Sequence, residues 1–201
     1  MQSIEDKVKS RIYGRGRGWV FTPQYFLDLG SRSAIDVALS RLTRANVIRS
    51  LARGLYDYPK KHPKIGILLP SADAIAEALA GNAKLRLQPS GAYAANLLGL
   101  SEQVPLKIVF LTDGSSKSIK VRNQEIILKR TTPKNMMAAG RMSGLVIQAL
   151  RYLGKENVTE GTIDKLKKRL TEKDYDLLIN DIKLAPGWIA GIIRKITSKP
   201  E

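Results

Sequence analysis

Thr22-Pro23-Gln24-Tyr25-Phe26-Leu27-Asp28-Leu29, then Gly30, then Ser31 through Ala45, then Val47-Ile48-Arg49-Ser50-Leu51-Ala52-Arg53-Gly54-Leu55-Tyr56-Asp57-Tyr58-Pro59 is the stretch that decides the fold. Thr22 reads as an N-cap, and Pro23 takes the first helical position, where its missing N–H is not needed. Gly30 ends that helix and Ser31 caps the next. On this next helix Ile35, Ala38, Leu39 and Leu42 share a face expected to pack on a core. Ser33, Val37, Ser40 and Arg44 fall on the opposite face, with Arg32, Asp36 and Arg41 at its edges. Ile48, Leu51 and Leu55 are apolar, Arg49 and Arg53 are basic, and Gly54 allows a hairpin turn. Helix, turn, basic helix and short basic hairpin is the order of a winged helix-turn-helix, a unit that lays one helix in the major groove of DNA.

Arginine can bridge two acceptors on guanine or clamp a phosphate with its planar fork. Arg32 and Ser33 are therefore expected at base edges, and Ser40, Arg41 and Arg44 at base edges or phosphates. Arg49 and Arg53 are expected on backbone phosphates or in the minor groove. A winged helix that docks a protein, without sequence-specific DNA binding, is the alternative reading.

Upstream, Ser3 to Tyr13 reads as a helix: Ile4, Val8 and Ile12 form one stripe, Ser3 is an N-cap, and Glu5 and Asp6 suit the positive end of the helix dipole. Gly14-Arg15-Gly16-Arg17-Gly18 breaks it, and Trp19-Val20-Phe21 is strand-like. Arg15-Gly16-Arg17 has two readings, a minor-groove arm or a flexible connector with solvated charges. Its glycine spacing does not match a nucleotide-binding loop.

Downstream, Tyr58 to Lys64 holds two prolines and is expected to be a linker. This places a DNA-binding domain at residues 1–60 and a second domain at 65–201. Ser71 to Ala80 and Ser90 to Leu98 read as helices stopped by Gly81 and Gly99. Leu106 to Thr112, Ile119 to Val121 and Glu125 to Arg130 read as three antiparallel strands, with turns at Asp113-Gly114 and Asn123-Gln124. One helix is expected from Thr132-Pro133 to about Leu153, followed by shorter ones through Ile163-Leu166-Leu170, Tyr175-Leu178-Ile182 and Trp188-Ile192-Ile196. The expected class is α+β: an N-terminal winged helix-turn-helix, then a mixed domain with a small antiparallel sheet and a helical C-terminal part.

The 201 residues include 34 Lys and Arg against 18 Asp and Glu, a net charge of +16 that favours polyanionic partners. The excess is uneven: 13 basic against 5 acidic residues in 1–70, 11 against 5 in 71–153, and 10 against 8 in 154–201. Lys107, Lys120, Arg122, Lys129 and Arg130 lie on or near the expected sheet, with Lys120 and Arg122 pointing the same way by alternation. They make either a second phosphate-binding surface or a solvated face.

No stretch approaches the ~18 to 20 apolar residues of a membrane span, and Met1 to Asp6 carries no apolar signal core. The chain has no cysteine, which excludes disulfides and thiolate metal sites and suits a cytoplasmic setting. His62, the only histidine, sits in the expected linker without metal-ligand partners. Gly114-Ser115 is not followed by an Asp-x-Asp pair that would hold magnesium. With no catalytic constellation to name, the expectation is a non-enzyme without cofactor or metal.

Two further stretches extend the pattern. Arg53-Gly54-Leu55-Tyr56-Asp57-Tyr58-Pro59 closes the hairpin, and Pro89-Ser90-Gly91-Ala92-Tyr93-Ala94-Ala95-Asn96-Leu97-Leu98-Gly99-Leu100-Ser101 is followed by Gln103-Val104-Pro105 and a strand ending Leu111-Thr112-Asp113-Gly114. In this order, over roughly residues 1–153, the chain resembles the AbiEi-like antitoxins of AbiE-type abortive-infection systems. The resemblance implies a two-domain antitoxin of a type IV toxin–antitoxin pair. Its N-terminal winged helix would repress its own operon at inverted repeats, and its C-terminal domain would serve to neutralise a nucleotidyltransferase-like toxin. Operator reading would fall to the helix from Ser31 and the hairpin after it. An inverted repeat implies two copies on double-stranded DNA, hence a homodimer at least on DNA.

Overall fold

The structure is a computed structural model that describes residues 2–81 and 85–198. It is α+β, with eight α-helices and small antiparallel sheets among the described residues. The chain divides into two compact units, Met1–Lys84 with Ile119–Ile126, and Leu85–Ser118 with Ile127–Glu201.

The first unit opens with α1 (Ile4–Arg15). Ser3 Oγ accepts from the Asp6 N–H at 3.1 Å, and the Asp6 carboxylate accepts from the Ser3 N–H at 3.3 Å. This reciprocal box satisfies two helix-end donors. Val8 and Ile12 are buried, as their spacing requires. Strand β1 (Val20–Phe21) follows.

The helix expected from Thr22 to Leu29 is instead one 3-10 turn, Pro23–Phe26. Arg11 supplies the reason. Its guanidinium donates to the Tyr25 carbonyl at 2.6 Å and holds both Asp28 oxygens at 2.6 and 2.7 Å. The Leu29 N–H then bonds to Phe26 O at 2.8 Å, three residues back instead of four.

Helix α2 (Arg32–Arg44) is capped by Ser31 and buries Ile35, Ala38, Leu39 and Leu42. Asn46, at φ 54°, ends it. The Asn46 N–H reaches Thr43 O and the Val47 N–H reaches Leu42 O, the paired closure of a Schellman motif. Strands β2 (Arg49–Ala52) and β3 (Leu55–Asp57) follow, and the sheet order is β1-β3-β2. Phe21 pairs with Tyr56, Val20 with Asp57 and Arg49 with Asp57. The core of this unit joins Val8, Ile12, Phe21, Phe26, Ile35, Leu39, Leu42 and Ile48, with Trp19 packed against it. Trp19–Phe21 and Phe21–Phe26 ring centroids lie 4.6 and 5.4 Å apart.

The expected linker is a second hairpin, β4 (Lys61–His62) paired antiparallel with β5 (Gly66–Ile67). Helix α3 (Ala72–Ala80), capped by Ser71, follows in the first unit.

A four-stranded sheet has the order β6-β7-β9-β8, from β6 (Leu87–Ser90), β7 (Lys107–Thr112), β8 (Lys117–Val121) and β9 (Gln124–Arg130). Strand β6 has no counterpart among the expected strands; it contains Pro89 and lies at the sheet edge, where proline is tolerated. Helix α4 (Gly91–Leu97) packs on α5 (Met142–Leu153).

The single helix expected over 132–153 is broken. A 3-10 turn at Pro133–Met136 gives way to Gly140 at φ 77° before α5 starts. Arg141 and Ser143, at the start of α5, both bind the buried carboxylate of Asp181. Helices α6 (Glu160–Arg169), α7 (Glu172–Asp181) and α8 (Gly187–Thr197) close a core around Leu150, Leu166, Leu178 and Ile193. None of the helices described is long and apolar enough to cross a membrane.

Candidate nucleic-acid interface

Helix α2 is amphipathic in the sense its sequence requires. Opposite the buried Ile35, Ala38, Leu39 and Leu42 it exposes Ser33, Val37, Ser40, Arg41 and Arg44. Val37 is 51% exposed, an apolar side chain at the centre of an otherwise polar strip. A groove of about 410 Å³ runs beside this strip, lined by Ser3, Ile4 and Glu5 of α1 and by Ser33, Ala34, Val37, Ala38 and Arg41 of α2.

The arginines expected at the interface are in different states. Arg32 Nε holds both oxygens of Asp36 one turn on, at 3.0 and 2.9 Å. Arg41 meets Glu5 of α1 at 3.3 Å and stays exposed. Exposed pairs of this kind are worth about 0 to 1 kcal/mol and exchange readily with a competing anion. Arg44 at the end of α2 and Arg53 in the β2–β3 turn are exposed and have no acidic partner among the described residues.

Arg49 departs from its expected place on phosphate. Its guanidinium holds both oxygens of Asp57 at 3.0 and 2.5 Å and donates to Leu68 O at 3.0 Å. Asp57 is 1% exposed, so the Arg49 charge is answered inside the unit. The register Arg49↔Asp57 sets this pair directly across β2 and β3. Sequence reading missed it because pairing across strands depends on register, which the hairpin turn alone left open.

The Arg15-Gly16-Arg17 segment is braced by aromatic rings. Arg15 lies over Trp19 with its guanidinium carbon 5.6 Å from the ring centre, and Arg17 over Tyr58 at 4.7 Å. Arg17 also donates to Pro59 O at 3.0 Å. The structure thus brings Arg17 to the root of the β4–β5 hairpin. The lysines of that hairpin are a candidate the sequence reading passed over as linker. Pro63 and Gly66 between Lys61-His62 and Ile67 were the available turn signal.

Of the second basic set, Lys107, Lys120, Lys129 and Arg130 are exposed on or beside the sheet. Arg122 is not aligned with Lys120, since it occupies the β8–β9 turn at φ 53°, where strand alternation has ended. In the C-terminal helices a groove of about 700 Å³ has Asp164, Glu172, Asp176 and Lys167 around Tyr175, Ile179 and Ile196. No group of three His, Asp or Glu side chains able to hold a metal occurs among the described residues.

The sequence profile of the DUF6088 family matches residues 3–178 of this chain. The chain belongs to that family. DUF6088 is described as a family of unknown function. The matched residues take in α1, α2, the first sheet, the β4–β5 hairpin and most of α7. No curated protein matches the sequence.

Proposed function

We propose that α1, the 3-10 turn, α2 and strands β1 to β3 form a winged helix that binds double-stranded DNA. In this reading α2 enters the major groove and the β2–β3 hairpin is the wing. The observation that carries it is the outward strip of α2, where Ser33, Val37, Ser40, Arg41 and Arg44 stand opposite a buried apolar face. The sheet order β1-β3-β2 supports it by setting the β2–β3 hairpin on the strand β1 that precedes α2. So does the basic excess of residues 1–70.

Arg53 takes phosphate and Arg44 a base edge or phosphate from the outset, while Arg41 exchanges Glu5 for a phosphate or base edge on binding. Val37 fits the methyl group of a thymine. Together with the resemblance to AbiEi-like antitoxins, this makes the chain a cytoplasmic autorepressor and antitoxin of a type IV toxin–antitoxin operon. It would act as a dimer on an inverted-repeat operator and counteract a nucleotidyltransferase-like toxin.

A gel shift with the chain's own upstream DNA against random duplex tests operator binding; equal affinity for both overturns it. Co-expression with the neighbouring reading frame tests the antitoxin role; growth arrest that this chain leaves unrelieved overturns it. One observation favours the second reading, a protein-docking winged helix: Arg32, Arg41 and Arg49 each already hold an acid. Capture of a partner that persists at high salt, with no duplex binding, would select it.

A further inference from the structure

We propose that the β4–β5 hairpin is a second backbone-gripping arm for duplex DNA, held in position by Arg49 and Asp57 and extended by Arg17. The inference rests on the DNA reading above.

Residues 60–67 read Lys-Lys-His-Pro-Lys-Ile-Gly-Ile, with three lysines, one histidine and no acid. Every residue from Lys60 to Ile67 is exposed. Ile65 and Ile67, 71% and 53% exposed, show that the hairpin buries no apolar side chain of its own there. A two-stranded hairpin of this size has little stability alone in water. Its stability comes from the root. Leu68 N–H donates to Lys60 O at 2.9 Å, and Leu68 O accepts from Arg49 at 3.0 Å. Arg49 is in turn fixed by both oxygens of buried Asp57. Taking this ion pair out of water opposes folding, and a solvated linker would need no such anchor.

Arg17 joins the same edge from a distant part of the sequence. It stacks on Tyr58 and bonds Pro59 O, and the backbone at Gly18 runs beside the stem of Lys60. Arg17, Lys60 and the α3 cap Ser71 line one concavity of about 370 Å³ at the hairpin root. Lysine ammoniums are point charges that suit phosphate and carry no base preference. The arm therefore adds affinity and orientation without changing which sequence is read.

The test is fluorescence anisotropy on upstream and random duplexes over a range of salt. The full chain is compared with Lys61→Ala/Lys64→Ala and with Lys165→Ala/Lys168→Ala, which removes two exposed lysines of α6. Each phosphate contact contributes about 0.9 to the slope of log affinity against log salt. The hairpin double variant is expected to lower that slope by about 2 and to weaken both duplexes by the same factor. The α6 variant is expected to leave the slope unchanged. An unchanged slope in the hairpin variant overturns the inference, as does an equal fall in the α6 variant. Binding by the wild type in either case keeps the winged-helix reading standing. No binding by the wild type at any salt would remove that reading, and this inference with it.

Discussion

Asp57 illustrates how one side chain can organise a basic surface without touching a ligand. Its carboxylate is buried, and it turns Arg49 away from solvent and toward Leu68 O. Breaking a buried pair leaves an uncompensated charge. Asp57→Ala is therefore expected to lower unfolding free energy by about 3 kcal/mol, read by urea titration. Asp57→Asn separates two roles for Arg49. If Arg49 gripped phosphate, freeing it would tighten duplex binding; as the anchor of the hairpin, its release weakens binding, and we expect weakening. On α2, Arg44→Ala is expected to cost about 1 to 3 kcal/mol of operator affinity if its contact is bidentate to a base. Arg32→Ala is expected to cost less, because its side chain is held by Asp36.

At the scale of elements, local signals decided what was legible. The caps Ser3 and Ser31 follow from residue type and position, and the buried faces of α1 and α2 from spacing. The segment 22–29 was read as a helix because its own residues allow one. Arg11, eleven residues before Thr22, takes the Tyr25 carbonyl and leaves only a 3-10 turn. The break before α5 has the same character. Gly140 and the distant Asp181 impose it, in a stretch with no proline after Pro133 until the helix has ended.

Gly144 is a sharper case of long-range constraint. A Cβ there would collide with the Ala138 carbonyl and with Gln88 Oε1. Gly144→Ala is expected to destabilise the second unit by about 1 to 3 kcal/mol, seen as a lower thermal midpoint. The turns at Asp28 and Asp113 also set an acid response. Hydrogen bonds from Arg11 and Arg86 hold these carboxyls below the ordinary aspartate range. A depressed folded value means stability that is complete above the ordinary pKa of about 3.9 and lost progressively as pH falls from there through the lowered folded value. Thermal midpoints should be flat near neutrality and drop below about pH 4, and Asp113→Asn should reduce that drop. A midpoint that falls already between about pH 7 and 5 would contradict this assignment.

For the whole molecule, charge is the organising quantity. The first 70 residues carry 13 basic against 5 acidic groups, and some of these cations stand exposed on the α2 strip, in the β2–β3 turn and along the Arg17 and β4–β5 edge. Composition favours a polyanionic partner. It did not foretell which cations the fold would use internally, because Arg49 and Arg53 look alike in sequence and only strand pairing tells them apart. The candidate site was therefore legible as a region and as a helix face. Its division into anchoring and exposed cations was not. The measurement that tests the central claim most directly is titration of the full chain against its own upstream duplex and a random duplex at one moderate salt concentration. The account predicts tighter binding to the upstream sequence, and a loss of that preference in Arg41→Ala/Arg44→Ala at unchanged thermal stability. Equal binding to the two duplexes by the wild type, or a preference that survives in the double variant, would contradict it.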